Sequence, residues 1–344
     1  MAISGISRAL HIGALTAIFT LCAGQSLAQA DLEALVKAAK AEGQVQLYSS
    51  PTENVPKRVG AAFTAKYGIT FNYVRLSSAV LLQRHAAEME AGSAGADILW
   101  ASGGLGPYTE GALKRGWIEP VSQAGLPVVK SGEFPRTQMR ANTAVIQVVP
   151  FIIAYNTDRL KGADIPKEIR DILAPRFKGQ ILLPDPRSSD VYVAFWGMVL
   201  DKFGEGFFAQ LRALEPRHYA SGSPAVQALA AGEGLLELPT ITAAMLATKG
   251  TRGPIDQIIP SLTTGLEHEV VLTARARSKF PNAARLLANY VMSPEGNKVF
   301  NDDPGGTTIY DAGGLPSQYV PPREGTGAQS ATNRRELLTK LLGF

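Results

Sequence analysis

The chain has 344 residues, 45% of them hydrophobic and 19% charged, with 34 Gly and 22 Pro. It is long enough for about two domains, apolar enough to bury real cores, and too poor in Gly and Pro to be a low-complexity or disordered chain. A formal charge of +4 is spread thinly, without a basic run or a Cys/His finger spacing, which argues against a nucleic-acid partner.

In chain order, residues 1–30 have the three-part form of a secretory signal peptide: a single basic side chain at Arg8, an apolar stretch Ile12–Cys22, and the small-x-small pattern Ala28-Gln29-Ala30. The apolar stretch is too short to span a bilayer comfortably. No Arg pair precedes it, which points to export of an unfolded chain. Cys22, the only cysteine, lies inside this stretch, and Leu21 is not the small residue that lipoprotein processing requires before its cysteine. Cleavage after Ala30 would leave a chain without cysteine, held together by its cores alone, as suits a bacterial periplasm.

Beyond this segment strands and helices alternate. A strand is expected over 44–48, a helix over 55–67 stopped by Gly68, and a strand over 69–74. A helix over 78–91 follows, with Leu82, Ala86 and Met89 on one face, then a strand over 96–100 and a helix over 105–115. This order predicts an α/β fold with a mostly parallel sheet covered on both faces. Residues 122–142 lose any period. The apolar stretch 145–155, interrupted by Gln147 and Pro150, reads as an extended segment that leaves one sheet and enters another.

A second series then begins: a strand over 179–183, helices over 190–203 and 206–214, a strand over 217–220, a helix opened by Ser221-Gly222-Ser223-Pro224 and running to Ala231, and a strand over 234–238. Next come a strand over 269–274 and a helix over 281–292 with Pro in its first turn. Ser293-Pro294-Glu295 starts another helix, with a cap, a first-turn Pro and a carboxylate at the positive helix end. Residues 311–329 read as loop and 333–342 as a closing helix.

Four serine corners each follow a strand and precede a helix: Ser49-Ser50, Ser102-Gly103, Ser188-Ser189 and Ser221-Gly222-Ser223. In open α/β sheets ligands bind beyond the carboxyl ends of strands, where helix N-termini present free N–H groups. A serine before a helix is also an ordinary N-cap, so the weight lies in the repetition of the corner through both halves of the chain. Arg187 and Arg75 end strands beside such serines, and a guanidinium there matches a carboxylate or phosphate. Each also reads as a surface residue or an internal ion pair. Catalytic chemistry has little support. His85, His218 and His268 sit in no triad context, and no G-x-S-x-G, H-E-x-x-H or Walker motif occurs. Gly103-Gly104-Leu105-Gly106 lacks the full dinucleotide spacing, and metal ligands are sparse. The chain reads as no enzyme and as needing no cofactor.

The segments VQLYSS (45–50), ADILWASGGLGPYTEGALKRGWIEPV (96–121), IIAYNTDRLKG (152–162), FKGQILLPDPRSSD (177–190), AVQALAAGEG (225–234) and NYVMSPEGNKVF (289–300) together resemble a periplasmic solute-binding protein of a bacterial ABC importer, of the type II fold. Within that group the chain is most similar to the branch of ferric-iron binders and their relatives for phosphonates, sugar phosphates and polyamines. The resemblance implies two lobes that close on a ligand, each a mostly parallel sheet flanked by helices: lobe 1 from 31–147 plus 268–344, and lobe 2 from 148–267. It also implies delivery to permease subunits in the inner membrane, by a monomer without nucleic-acid partners.

Three features of the ferric binders are absent. Residues 233–248 hold no Tyr where those proteins use a tyrosine pair, Ser49-Ser50-Pro51-Thr52 stands where a His is frequent, and Arg75 stands where a Glu can serve. Since Fe³⁺ wants anionic oxygen ligands, these departures point to a small anionic solute: a carboxylate, phosphonate or phosphate ester. Ferric iron, with or without a bridging anion, is the alternative. The expected ligand-binding set is Ser49, Ser50, Arg75, Ser102, Gly103, Arg187, Ser188, Ser189, Ser221 and Thr240.

Overall fold

The computed structural model describes residues 29–103, 105–250, 253–303, 306–310, 315–322 and 328–344. The expected signal segment lies outside the described residues except for its last two, which open a helix, α1, over 29–42. The chain then runs β1 (Gln44–Ser49), α2 (Asn54–Tyr67), β2 (Thr70–Arg75), α3 (Ser78–Glu90), β3 (Ile98–Ser102), α4 (Leu105–Lys114), β4 (Ile118–Glu119), α5 (Pro127–Lys130) and β5 (Ala144–Asn156). It continues β6 (Ile181–Pro184), α6 (Asp190–Phe203), α7 (Glu205–Ala213), β7 (Arg217–Tyr219), α8 (Gly222–Ala230), β8 (Leu236–Ile241), α9 (Thr242–Lys249), β9 (Ile255–Ile258), β10 (Leu262–Thr263) and β11 (Gly265–Thr273). It closes with α10 (Pro281–Met292), α11 (Pro294–Phe300), β12 (Gln318–Tyr319) and α12 (Ala328–Leu342).

Two compact units result. The first takes the described residues up to Trp100 with Leu113–Ala144 and Val270–Val299; the second takes Ala101–Ala112, Val145–Glu269 and Phe300–Phe344. β5 and β11 each pass from one unit to the other, at Ala144 and at Glu269.

In the first unit β1 pairs in parallel with β2 and with β3, and β4 pairs antiparallel with the end of β11. The helices follow from simple local rules. Gly68 ends α2 in the left-handed region, φ 71°, and its N–H closes on Thr64 O at 2.8 Å. The buried stripe of α3 is Leu81, His85 and Met89, turned one residue from the expected Leu82 and Ala86, which are half-buried. His85 is therefore a core residue, with Nε2 3.2 Å from Thr273 Oγ1, and burial pushes it down to about 4. Phe63 and Tyr67 of α2 pack on Tyr290 of α10 with ring centroids 5.9 and 6.0 Å apart.

In the second unit β6 pairs in parallel with β7 and β8, while β5 pairs antiparallel with β8 and β9. Phe151, Phe177, Phe195, Trp196 and Phe208 form its core, and Leu338, Leu341 and Leu342 of α12 complete it. The closing helix thus belongs to this unit and not with the first lobe, where the sequence had placed 268–344. Leucines three and four residues apart give α12 an apolar face that fits α6 and α7. His218 Nε2 lies 3.1 Å from Leu342 O, and its ring sits 4.1 Å from that of Phe344, which ties the chain end to β7. The expected loop over 311–329 holds β12, which pairs with β10, and the start of α12; its other residues lie largely outside the described set.

Candidate functional site

The parallel registers bring the first-unit candidates into line. Ser49 stands opposite Arg75 on one side and Trp100 on the other, so β1 and β2 end together and β3 runs on two residues past them. Ser50 N–H donates to Trp100 O at 2.8 Å, and Leu76 N–H donates to Ser49 O at 3.0 Å. Both serine hydroxyls are buried and find no hydrogen-bond partner among the described residues. Arg75 is exposed, and its one described bond is a long one, Nε to Pro51 O at 3.4 Å. Ser102, which ends β3, and Gly103 belong to the second unit; Gly103 takes φ 66° in the turn towards α4, a conformation that a residue with a Cβ resists.

In the second unit β6 and β7 end side by side, and each leads into a helix. Ser189 and Ser221 occupy the N-cap positions of α6 and α8 in extended conformation, yet neither hydroxyl caps its helix. The Ser189 carbonyl accepts the Tyr192 N–H at 3.1 Å, but no cap side chain takes the other first-turn amides, and the helix dipole favours negative charge. Tyr192, in the first turn of α6, reaches across to α8: a Cβ on Gly222 would lie 2.4 Å from its hydroxyl, and the Gly222 N–H bonds to that oxygen. Burial pushes the Tyr192 phenol up to about 12.

Arg187 is held differently from a free anion hook. Its Nε and Nη2 fork onto the Asp185 carboxylate at 2.9 and 2.6 Å, and its N–H donates to Asp185 Oδ1 at 2.8 Å. The guanidinium holds Asp185 below the usual carboxylate range. Ser188 Oγ donates to Asp185 O at 2.7 Å. Arg187 and Ser188 are exposed, but this corner carries its own counter-charge. The P-D-P-R spacing is the signal that sequence reasoning missed. Thr240 is buried near the end of β8, close to Glu237, a wholly buried acid that was not a sequence candidate.

The second unit also holds a cavity of about 690 Å³ that the serine corners do not mark. One wall is the side of α6 carrying Ala194 and Met198; the opposite side brings Thr264, Glu267, Glu269 and Tyr319. Of the expected residues only Gly103 lines it. Tyr319 Oη donates to Glu267 Oε1 at 2.9 Å, and the Thr264 hydroxyl is buried without a partner among the described residues. Glu267 and Glu269 alternate along β11, so they share a face, and His268 points the other way into the interior, where burial pushes it down to about 4.

No group of three or more His, Cys, Asp or Glu among the described residues is placed to hold a metal ion. Nor is any described helix long and apolar enough to cross a membrane.

Comparison with known proteins agrees with this architecture. An uncharacterized protein of Haemophilus influenzae is 24% identical over 272 residues, 76% of each chain. Iron-bound HitA of Pseudomonas aeruginosa shares the fold with a TM-score of 0.62 at 16% identity, over 88% of this chain and 99% of that one. The periplasmic binding protein AfuA of Actinobacillus pleuropneumoniae, with exogenous fructose-6-phosphate bound, superposes with a TM-score of 0.54 at 20% identity, over 87% and 97% of the two chains. The model of the bacterial extracellular solute-binding protein family matches residues 96–308, from the strand before the Ser102 corner to the segment after α11, and the chain belongs to that family.

Proposed function

We propose that this protein is the periplasmic binding component of an ABC-type importer, exported by a cleaved signal peptide. In this reading it captures a small anionic solute (a carboxylate, phosphonate or phosphate ester) by lobe closure and passes it to permease subunits of the inner membrane. The observation that carries the anion is the pair of helices α6 and α8. They start beside each other at strand ends, behind serines whose hydroxyls do not cap them. Arg75 adds an exposed cation at the strand ends of the first unit. The phosphate ester named with AfuA fits the same chemistry.

Iron, the ligand named with HitA, is the second reading. Against iron bound directly by phenolates, residues 233–248 hold no Tyr where the ferric binders use a tyrosine pair.

Mass spectrometry of protein purified under native conditions identifies the solute it carries, and calorimetry then measures the variants. Arg187→Ala should weaken binding about tenfold, since one bond to a charged group is worth roughly 1.5–3 kcal/mol and 1.4 kcal/mol is a factor of ten. Its melting temperature should stay unchanged, because the side chain is exposed. Asp185→Asn keeps an acceptor for the Arg187 N–H but removes the counter-charge, so anion affinity should rise. If both variants bind as the wild type does, the corner is not part of the site. Protein loaded with ferric citrate should stay free of a tyrosinate-to-iron absorption band. A band saturating at one iron per chain would replace the anion reading with the iron one.

A further inference from the structure

Glu237 has no part in the anion reading, yet the fold isolates it fully from water. Its sheet partners Ala154 and Leu182 put it on the face of β8 covered by α8 and α9. Ile152, Val226, Leu229 and Met245 complete that apolar layer. The side chain is wholly buried, and neither carboxylate oxygen has a hydrogen-bond partner among the described residues.

Charged and titratable neighbours do not compensate it. β6 and α8 carry none, and Tyr219 of β7, packed against this layer, donates its hydroxyl to Glu233 at 2.9 Å. Asp256 of β9 pairs with Lys249 of α9 at 3.8 Å and acts on Tyr155 of β5, which faces the opposite side of the sheet with Leu236. From α6, Tyr192 feels the Glu237 carboxylate, and the hydroxyl of Tyr192 rests on the first turn of α8. A carboxylate in such a layer loses its hydration for little return, so the neutral form is favoured. Burial pushes Glu237 up to about 8, against a smaller opposing pull from the Thr240 hydroxyl.

We propose that Glu237 is held as the neutral acid and acts as a proton-sensitive positioning residue for α8: protonated, it lets the helix seat on the sheet and offer its first turn to an anion; ionised, it loosens that layer and adds a negative charge close to the same turn. The anion half of this proposal rests on the anion reading above; the seating of α8 does not.

The test compares the full chain with Glu237→Gln. A folded-state value above the unfolded one of about 4.5 means that the folded protein keeps a proton the unfolded chain has lost. The stabilisation is complete at low pH, declines as pH rises towards about 8, and is gone above it. His85, His218 and His268 are all pushed down, so the interval from pH 7 to 8 lies above their folded-state titrations. Over that interval the melting temperature of the wild type should fall and that of Glu237→Gln should stay level. Should the Gln variant fail to fold, Glu237→Met, of similar volume, should show the level profile. Parallel profiles for wild type and variant overturn the proposal.

A second arm titrates sulfate, whose charge is constant over this range, at pH 6.5 and pH 9. Affinity should drop at least tenfold in the wild type and hold in the variant; an equal drop in both overturns the switch. Absence of sulfate binding at either pH counts against the anion reading, and the melting profiles still decide the role of Glu237.

Discussion

Replacing Asp97 with alanine should destabilise the first unit by about 3–5 kcal/mol, at the upper end of what the loss of one side chain produces. Asp97 sits just before β3 and is buried. Its Oδ2 accepts the Gln46 N–H of β1 at 2.9 Å. Its Oδ1 accepts Ser278 Oγ at 2.8 Å, Lys279 N–H at 2.8 Å and Phe280 N–H at 3.0 Å. One carboxylate therefore joins the central strand of the unit to the turn that launches α10. Alanine leaves three backbone donors and a hydroxyl without an acceptor, and each orphaned buried donor costs about 1–3 kcal/mol before water or relaxation recovers part of it. Asparagine should fall between the two, because its oxygen can serve one side while its amide meets donors on the other. Urea unfolding of the three proteins checks the order. An alanine variant within about 1 kcal/mol of wild type would show that water replaces the carboxylate at little loss.

How far the sequence revealed this architecture depended on whether an element is specified locally. α6 and α10 run over the expected residues, 190–203 and 281–292, because local signals bound them: the corner Ser189 before α6, and Pro281 at the start of α10. The stop at Gly68 holds for the same reason, a left-handed position that glycine fills without strain. The elements that escaped notice are the ones that exist through their neighbours. β9, β10 and β12 are two to four residues long and have strand character only through pairing with β5 or with each other. α9 begins at Thr242 with no side-chain cap and directly follows β8, so no break in composition announces it.

The candidate site divides along the same line. Serine corners before helices are local features, and they stand where the sequence put them. Their partners are not local. Nothing in L-E-L-P-T reveals that Glu237 lies under a helix, because a strand with one polar residue ordinarily turns that residue to water. Asp185 and Arg187 are the exception: two residues apart across a proline in a turn, they could have been paired from the sequence, and the pairing changes what Arg187 can offer a ligand. Glu267 and Glu269 were beyond reach, since their strand begins at Gly265 and not at Glu269. Glu267 also meets Tyr319, 52 residues away, through the β10–β12 pair.

Gly296→Ala should be nearly as damaging as Asp97→Ala, at about 2–4 kcal/mol, and for a reason that is purely steric at first. The S-P-E-G segment, Ser293 and the first turn of α11, folds the chain back over the last turn of α10. Ser293 N–H and Ser293 Oγ both donate to Tyr290 O, at 3.0 and 2.7 Å, and Ser293 Oγ in turn accepts the Gly296 N–H at 3.2 Å. This closed set of bonds draws the Tyr290 carbonyl against Gly296, where a Cβ would lie 1.9 Å from the oxygen and 2.5 Å from its carbon. Both atoms are backbone, so no side-chain rotation relieves the clash. The turn has to open, and with it go the Ser293 bonds and the seat of Asn297, whose Nδ2 donates to Val291 O at 3.1 Å. Tyr290 would also shift against Phe63 and Tyr67, which carries the disturbance into the core between α2 and α10. Ser293→Ala removes the same hydroxyl bonds without the clash and should cost only about 1 kcal/mol, typical of a lost cap. Thermal melting separates the two effects, at about 2–4 °C per kcal/mol for a cooperative unit of roughly 150–250 residues. If Gly296→Ala costs no more than Ser293→Ala, the turn yields easily, and its bonds, rather than the close approach of the backbone, account for the glycine.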